Sequence, residues 1–299
     1  MMGSGVVSCF VGAFSFGIAA CVAKVAEKKK CRASPLVVSL FGWSSVLMLV
    51  RTLASGGEFQ MPMRAMGAAV AFGICAAVAF FAFQTSIAIG KVAVAWLMMN
   101  LSAGVPAIVS IWVYGERLTA LKCVAYATAL VALLCLFQGS NIEWQEAKQL
   151  GRSIKGSERL TWFLLMLIIL LTNGMSAFGL KVIASLALPA SIKFPYLTVW
   201  YGAGFACLAV PMLIKKVGVG LKELGWGAAL AILSMAGQLA MAMALDLHVP
   251  GNIVFPVTIG GSVLVVVVAG RLFFGERLNR MSTAGVTLGF GAVILLSLS

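Results

Sequence analysis

Tyr114-Gly115-Glu116-Arg117-Leu118 returns as Phe274-Gly275-Glu276-Arg277-Leu278, 160 residues further along a chain of 299. At the same offset Pro35 meets Pro195, Gly42 meets Gly202, and Gly67-Ala68-Ala69 meets Gly227-Ala228-Ala229. At an offset of 157, Gly17 meets Gly174 and Lys24-Val25 meets Lys181-Val182. A single aromatic-Gly-Glu-Arg-Leu match arises by chance. Agreement of four stretches in order, with one slip of three residues, points to a duplicated unit.

The sequence around these landmarks is apolar. Hydrophobic residues make up 62% and charged residues 10%, with a mean hydropathy of +1.05. A soluble domain carries roughly 25% charged residues, so a water-soluble enzyme, a nucleic-acid binder and a disordered chain are excluded. The net charge of +13 sits in short clusters between long apolar runs, as in the loops of a polytopic membrane protein. A membrane-spanning helix takes about 20 apolar residues. Hydropathy and breakers give ten candidates: 3–24, 35–54, 65–88, 92–114, 118–138, 161–185, 195–216, 223–246, 251–274 and 279–298. The first run lacks a basic leader and runs into a charged patch, which favours a retained span over a cleaved signal. The seven cysteines form no Cys-x-x-Cys motif and lie mostly in apolar segments, where they read as small fillers.

The expected class is therefore an all-α membrane protein of ten transmembrane helices. The first five-helix repeat covers 1–138 and the second 161–299. Between them, 139–160 holds Glu143, Glu146, Lys148, Arg152, Lys155, Glu158 and Arg159 and reads as a charged linker. Because five is odd, the second unit starts on the opposite side of the membrane from the first. The expectation is a pair of inverted repeats related by a pseudo-two-fold axis in the membrane plane, an arrangement suited to alternating access.

Polar groups in such spans are costly and should face the bundle interior or a cavity. Asn100, Asn173, Gln238 and Thr258 lie near span centres, and Gln84 lies in the last turns of the third helix. An amide offers donor and acceptor together, which suits a zwitterionic or polyhydroxyl solute. The same groups also serve as interhelical hydrogen bonds, worth about 0.6 kcal/mol on average. Phe14, Tyr201 and Phe255 are aromatic candidates for a cavity wall, with Phe16, Trp43 and Trp200 also inside spans. Trp96 lies four residues before Asn100 on one helical face. Pro106 and Pro256 remove backbone hydrogen bonds inside their helices, giving either a local unwinding or a packing kink. Asp246 and His248 flank the end of the eighth helix, as a coupling pair or as an interfacial polar flank. Lys24 and Lys181 close helix C-termini and compensate their dipoles, or reach into a cavity. Gly285-x3-Gly289 has the close-packing spacing of membrane helices.

Ten spans in two halves, the Gly-Glu-Arg-Leu turn after the fourth and ninth helices, and a Gly-x6-Lys ending to the first and sixth resemble the drug/metabolite transporter superfamily. The nearest branch is the EamA-type transporters. The resemblance covers the whole chain and implies a solute carrier. Its cavity would be lined by the first four helices of each half, with the fifth and tenth peripheral. It implies amino acids, other metabolites, sugars, nucleotide sugars or drugs as cargo, and tilts the direction to export. The first helix has no acidic residue, unlike the small multidrug branch.

The expected function is secondary transport of a small polar organic solute such as an amino acid. No phosphate-binding loop of the G-x-x-x-x-G-K-[ST] kind occurs to use ATP. One histidine and no cluster with metal-ligand spacing argue against a membrane-embedded enzyme. A non-transporting subunit would have little loop surface for a partner. No cofactor, metal or nucleic acid is expected, and the partners are solute and membrane lipid, with the chain a monomer or homodimer. The expected home is a bacterial inner membrane, since no transit peptide is recognisable. Most of the 22 lysines and arginines follow odd-numbered spans; only Arg51, Arg64, Arg117, Lys122, Lys181 and Lys193 fall on the other side. That bias places both termini outside the cytoplasm, whereas the resemblance places them inside.

Overall fold

A backbone in hydrocarbon has no water to bond, so each apolar run closes its hydrogen bonds internally as a helix. The computed structural model describes residues 2–54, 61–102, 104–115, 119–149, 156–186, 192–247, 249, 254, 256–276 and 278–297. His248 and Phe255 lie outside the described residues, as do the side chains of Lys181 and Asp246. The helices are α1 (Met2–Lys28), α2 (Ala33–Ala54), α3 (Met63–Ile89), α4 (Val92–Leu101), α5 (Gly104–Tyr114) and α6 (Ala120–Gln149). They continue as α7 (Gly156–Ser185), α8 (Lys193–Ile214), α9 (Leu221–Asp246), a π turn (Pro256–Gly260), α10 (Gly261–Phe273) and α11 (Arg280–Ser297). No strand occurs among the described residues.

Among the described residues, seven helices (α1, α2, α3, α6, α7, α8 and α9) contain segments long and apolar enough to cross a membrane. Their outer surface carries exposed Phe10, Phe14, Val50, Leu130, Leu171 and Val210, a belt that water would not tolerate. The chain is a multi-pass membrane protein.

The expected span 92–114 is divided into α4 and α5. Pro106 has no N–H for the Ser102 carbonyl, and its ring would strike that carbonyl in an unbroken helix; Val105 N–H closes on Ser102 instead, at 2.9 Å. In the ninth expected span, Pro256 opens the π turn that leads into α10. The expected linker 139–160 is also more helical than its charge suggests. α6 runs to Gln149 and α7 begins at Gly156, because Glu, Gln, Ala and Lys are good helix formers whatever their polarity.

Both Gly-Glu-Arg-Leu turns open on a left-handed glycine, Gly115 at φ 64° and Gly275 at φ 67°. Two lysines take the same conformation, Lys30 at φ 61° and Lys216 at φ 53°. Each closes a helix with a Schellman pair: Cys31 N–H to Ala26 and Lys30 N–H to Glu27, then Val217 N–H to Met212 and Lys216 N–H to Leu213.

Helices from opposite halves of the sequence pack together: α1 on α9 and α10, α3 on α7 and α8, α2 on α8 and α9, α6 on α11. α2 and α8 run antiparallel, with Gly42 facing Phe205 and Gly202 facing Ser45. In the same way Gly17 faces Val265 and the Ser262 carbonyl, while Gly174 faces Val105 and the Ser102 carbonyl. Gly285 and Gly289 meet Leu136 and Leu97, so this close-packing stripe is spent inside the chain. The tightest of these crossings is α3 on α8, where a Cβ on Gly73 would lie 2.1 Å from the Trp200 carbonyl oxygen.

A Gly73→Leu variant is expected to lose at least about 2–3 kcal/mol of stability, since backbone cannot yield as a side chain can. Lys216→Gly, which relieves a left-handed residue, is expected to be neutral or to gain up to about 1 kcal/mol. Thermal unfolding in detergent reads both.

Candidate functional site

Between α1, α2, α3, α4, α7, α8, α9 and the start of α10 lies a cavity of about 300 Å³. α6 and α11 pack on each other, and none of their described residues lines the cavity. The volume falls at the small end of ligand sites. Phe16, Phe80, Phe83, Trp96 and Trp200 supply aromatic faces, and the polar groups are amides and serines. Among the described lining residues there is no ionisable side chain.

α4 positions most of the site. Val92 through Met99 are buried, as is Leu101, as expected of a helix apolar on every face. Its first N–H, on Val92, donates to Glu276 Oε1 at 2.9 Å, a carboxylate carried by the second Gly-Glu-Arg-Leu turn. At its other end, beside the break before Pro106, Asn173 Nδ2 donates to the Met99 carbonyl at 2.9 Å and to Ser102 Oγ at 2.7 Å. Trp96 Nε1 donates to Ser262 Oγ at 3.0 Å, and Asn100 Nδ2 donates back to the Trp96 carbonyl at 2.7 Å. Across the cavity, Gln238 Nε2 donates to the Tyr201 hydroxyl at 3.2 Å. Gln84 Nε2 donates to the Ala23 carbonyl at 3.2 Å.

Of the residues singled out from sequence, Trp96, Asn100, Asn173 and Gln238 come together in this wall. Tyr201 does not reach it: 2% exposed, it stands behind Gln238 and packs edge-on against Trp200. Its neighbour Trp200 takes the lining position because the helix turns consecutive side chains about 100° apart. Thr258 is fully buried against α1, with its hydroxyl 3.4 Å from the Cys9 carbonyl. Phe14 is 55% exposed on the outer surface, two residues from cavity-lining Phe16 and so on another face of α1. Lys24 is turned to structural use: its ammonium donates to the Ile87 carbonyl and pairs with Glu27 at 3.1 Å. Phe255, His248 and the side chains of Asp246 and Lys181 lie outside the described residues.

The serines had not been singled out. Ser102 and Ser262 stand 160 residues apart in the wall, Ser234 precedes Gln238 by one turn, and Ser176 follows Asn173 by one. The repeat offset and helical spacing would have found all four.

At the end of the bundle formed by the close of α1 and the start of α9, Arg32 joins the two halves. Its Nε lies 3.2 Å from Glu223 Oε1, and Nη2 donates to the Gly218 carbonyl at 2.7 Å. Burial pushes the neighbouring Cys31 thiol up, and the Glu223 charge adds to the rise.

No protein-family model matches the chain, and no curated protein matches it. A crystal structure of a protein superposes with a TM-score of 0.62 over 99% of this chain and 97% of that one, at 14% identity. Likeness at that identity concerns the fold alone.

Asn173 makes two hydrogen bonds to another element, holding the Met99 carbonyl and Ser102 at the end of α4 from α7. Asn173→Leu is expected to cost about 1–3 kcal/mol through the acceptors it strands. Asn100→Leu, which loses a bond within its own helix, should cost less in the same thermal-unfolding assay.

Proposed function

We propose that the chain is a secondary transporter of the drug/metabolite type, similar to the EamA branch. In this reading ten spans form two inverted five-helix repeats, with α4 and α5 together serving as the fourth span and the π turn and α10 as the ninth. The cargo is a small polar organic solute, with amino acids and related metabolites as the first class to test and export as the expected direction. The membrane is taken to be a bacterial inner membrane.

The observation that carries this reading is the exchange of contacts across the repeat. Residue 42 touches 205 while 202 touches 45, and residue 17 touches 262 and 265 while 174 touches 102 and 105. Contact from i to j answered by contact from the counterpart of i to the counterpart of j is what a two-fold axis produces. The cavity wall follows the same pairing. Ser102 and Ser262, Val37 and Leu197, and Leu40 and Trp200 are counterparts at offset 160; Phe16 and Asn173, Ala19 and Ser176, and Ala20 and Ala177 are counterparts at offset 157. A cavity centred on such an axis can open to either side through two related arrangements. The described wall offers amides, serines and aromatic rings without an ionisable side chain, which fits a small organic solute recognised by hydrogen bonds and ring faces.

Proteoliposomes preloaded with an unlabelled amino-acid mixture and given the labelled mixture are expected to accumulate label by counterflow. The Asn100→Ala, Gln238→Ala double variant should lose at least about 90% of it, a loss of roughly 1.4 kcal/mol in transport free energy, while remaining folded. Folded protein with no accumulation above empty vesicles would remove amino acids as cargo. Equal accumulation by the double variant would remove this cavity as the path.

A further inference from the structure

The four amides of the cavity all point the same way. Asn100, Asn173 and Gln84 each spend their nitrogen on a backbone carbonyl, and a carbonyl only accepts, so chemistry fixes which end of each amide is which. Gln238 spends its nitrogen on Tyr201. Asn173 has both N–H groups occupied, the second by Ser102 Oγ, and the Trp96 indole N–H is taken by Ser262. Asn100, Gln84 and Gln238 each keep one N–H, but all four amide oxygens, each able to accept twice, make no hydrogen bond among the described residues, so acceptors outweigh amide donors in what the wall offers a solute. Around them stand ring faces, among them Phe16 and Trp200, whose π systems are negative toward the cavity. Lys24, which follows cavity-lining Ala23, is matched by Glu27 at 3.1 Å and donates to the Ile87 carbonyl.

Resting on the carrier reading above, we infer that the cavity selects a solute with an ammonium head on a small apolar body and disfavours one bearing a carboxylate. Amide oxygens and ring faces both stabilise a positive head. A carboxylate would meet those same oxygens with no cationic side chain among the described lining residues, which is the costly case for a buried anion. An amino acid then binds through its ammonium end, and the amine lacking the carboxylate binds better.

Calorimetric titration of the purified full chain in detergent tests this with four probes of one skeleton: 2-phenylethylamine, 2-phenylethanol, phenylalanine and 3-phenylpropionate. The amine is expected to bind at least about tenfold tighter than phenylalanine or phenylpropionate. Equal or tighter binding by either carboxylate overturns the inference, and so does an amine that fails to bind. Trp200→Leu should weaken the amine by about tenfold and the alcohol by less than about threefold; equal loss of both overturns the role given to the ring face. Ser176→Asp supplies a second readout should Trp200→Leu not fold: it should tighten the amine and weaken phenylpropionate, and the opposite order overturns the inference. Counterflow of labelled probes separates the two readings. Binding in the expected order without counterflow defeats the carrier and leaves the selectivity standing, whereas counterflow of phenylalanine in preference to the amine does the reverse.

Discussion

A ten-residue helix buried in the middle of a membrane protein must find partners for the backbone groups at both of its ends. α4 is that helix, and the rest of the molecule is arranged to meet the demand. Glu276 reaches its first N–H from the second half of the chain. Asn173, also from the second half, takes the Met99 carbonyl near its last turn. Between those fixed ends α4 turns Trp96 and Asn100 toward the cavity. The Gly-Glu-Arg-Leu turn gains a physical meaning here: the left-handed glycine turns the chain sharply so that the glutamate following Gly275 can cap a helix of the other half.

Much of this was legible in residues. The repeat offset predicted related landmarks, and both Gly115 and Gly275 adopt the same positive φ. The apolar runs marked the long helices to within about five residues, because hydropathy reports directly on which backbone segments must satisfy themselves. The end of α6 is the exception, running to Gln149 where the apolar run stops at 138. The division of 92–114 was only partly readable. Pro106 announced a lost hydrogen bond, but whether a helix kinks or stops there depends on a neighbour able to satisfy the groups at its end, and Asn173, which takes the Met99 carbonyl, is 74 residues from it. Side-chain direction was the least legible feature. Phe14 and Phe16 differ by two positions and end on opposite sides of α1, and Tyr201 and Trp200 exchange roles across one residue. An apolar helix in a membrane has hydrophobic residues on every face, so the periodicity that reveals orientation in a soluble helix is absent.

Paired at the offsets of 160 and 157, the residues of the cavity wall are only partly alike. Ser102 and Ser262 remain alike, but Phe16 stands opposite Asn173, Ala19 opposite Ser176, and Leu40 opposite Trp200. Phe16 with Asn173 and Ala19 with Ser176 set an apolar group against a polar one, and Leu40 with Trp200 an aliphatic against an aromatic, whereas Val37 with Leu197 and Ala20 with Ala177 match in chemistry. Under the proposed exchange between two related arrangements, such differences make the two energetically unequal, because each presents a different set of side chains to the same solute.

The bond between Glu276 and Val92 also bears on how the protein is made. The two residues are 184 apart in sequence, and synthesis at about 5–20 residues per second separates their emergence by roughly 10–40 s. For that interval the first half sits with α4 lacking its carboxylate, so the early half must be held by the insertion machinery or by lipid headgroups until its cap arrives. A gene split between the two halves would turn this wait into a search for a partner, with folding then limited by encounter in the plane of the membrane.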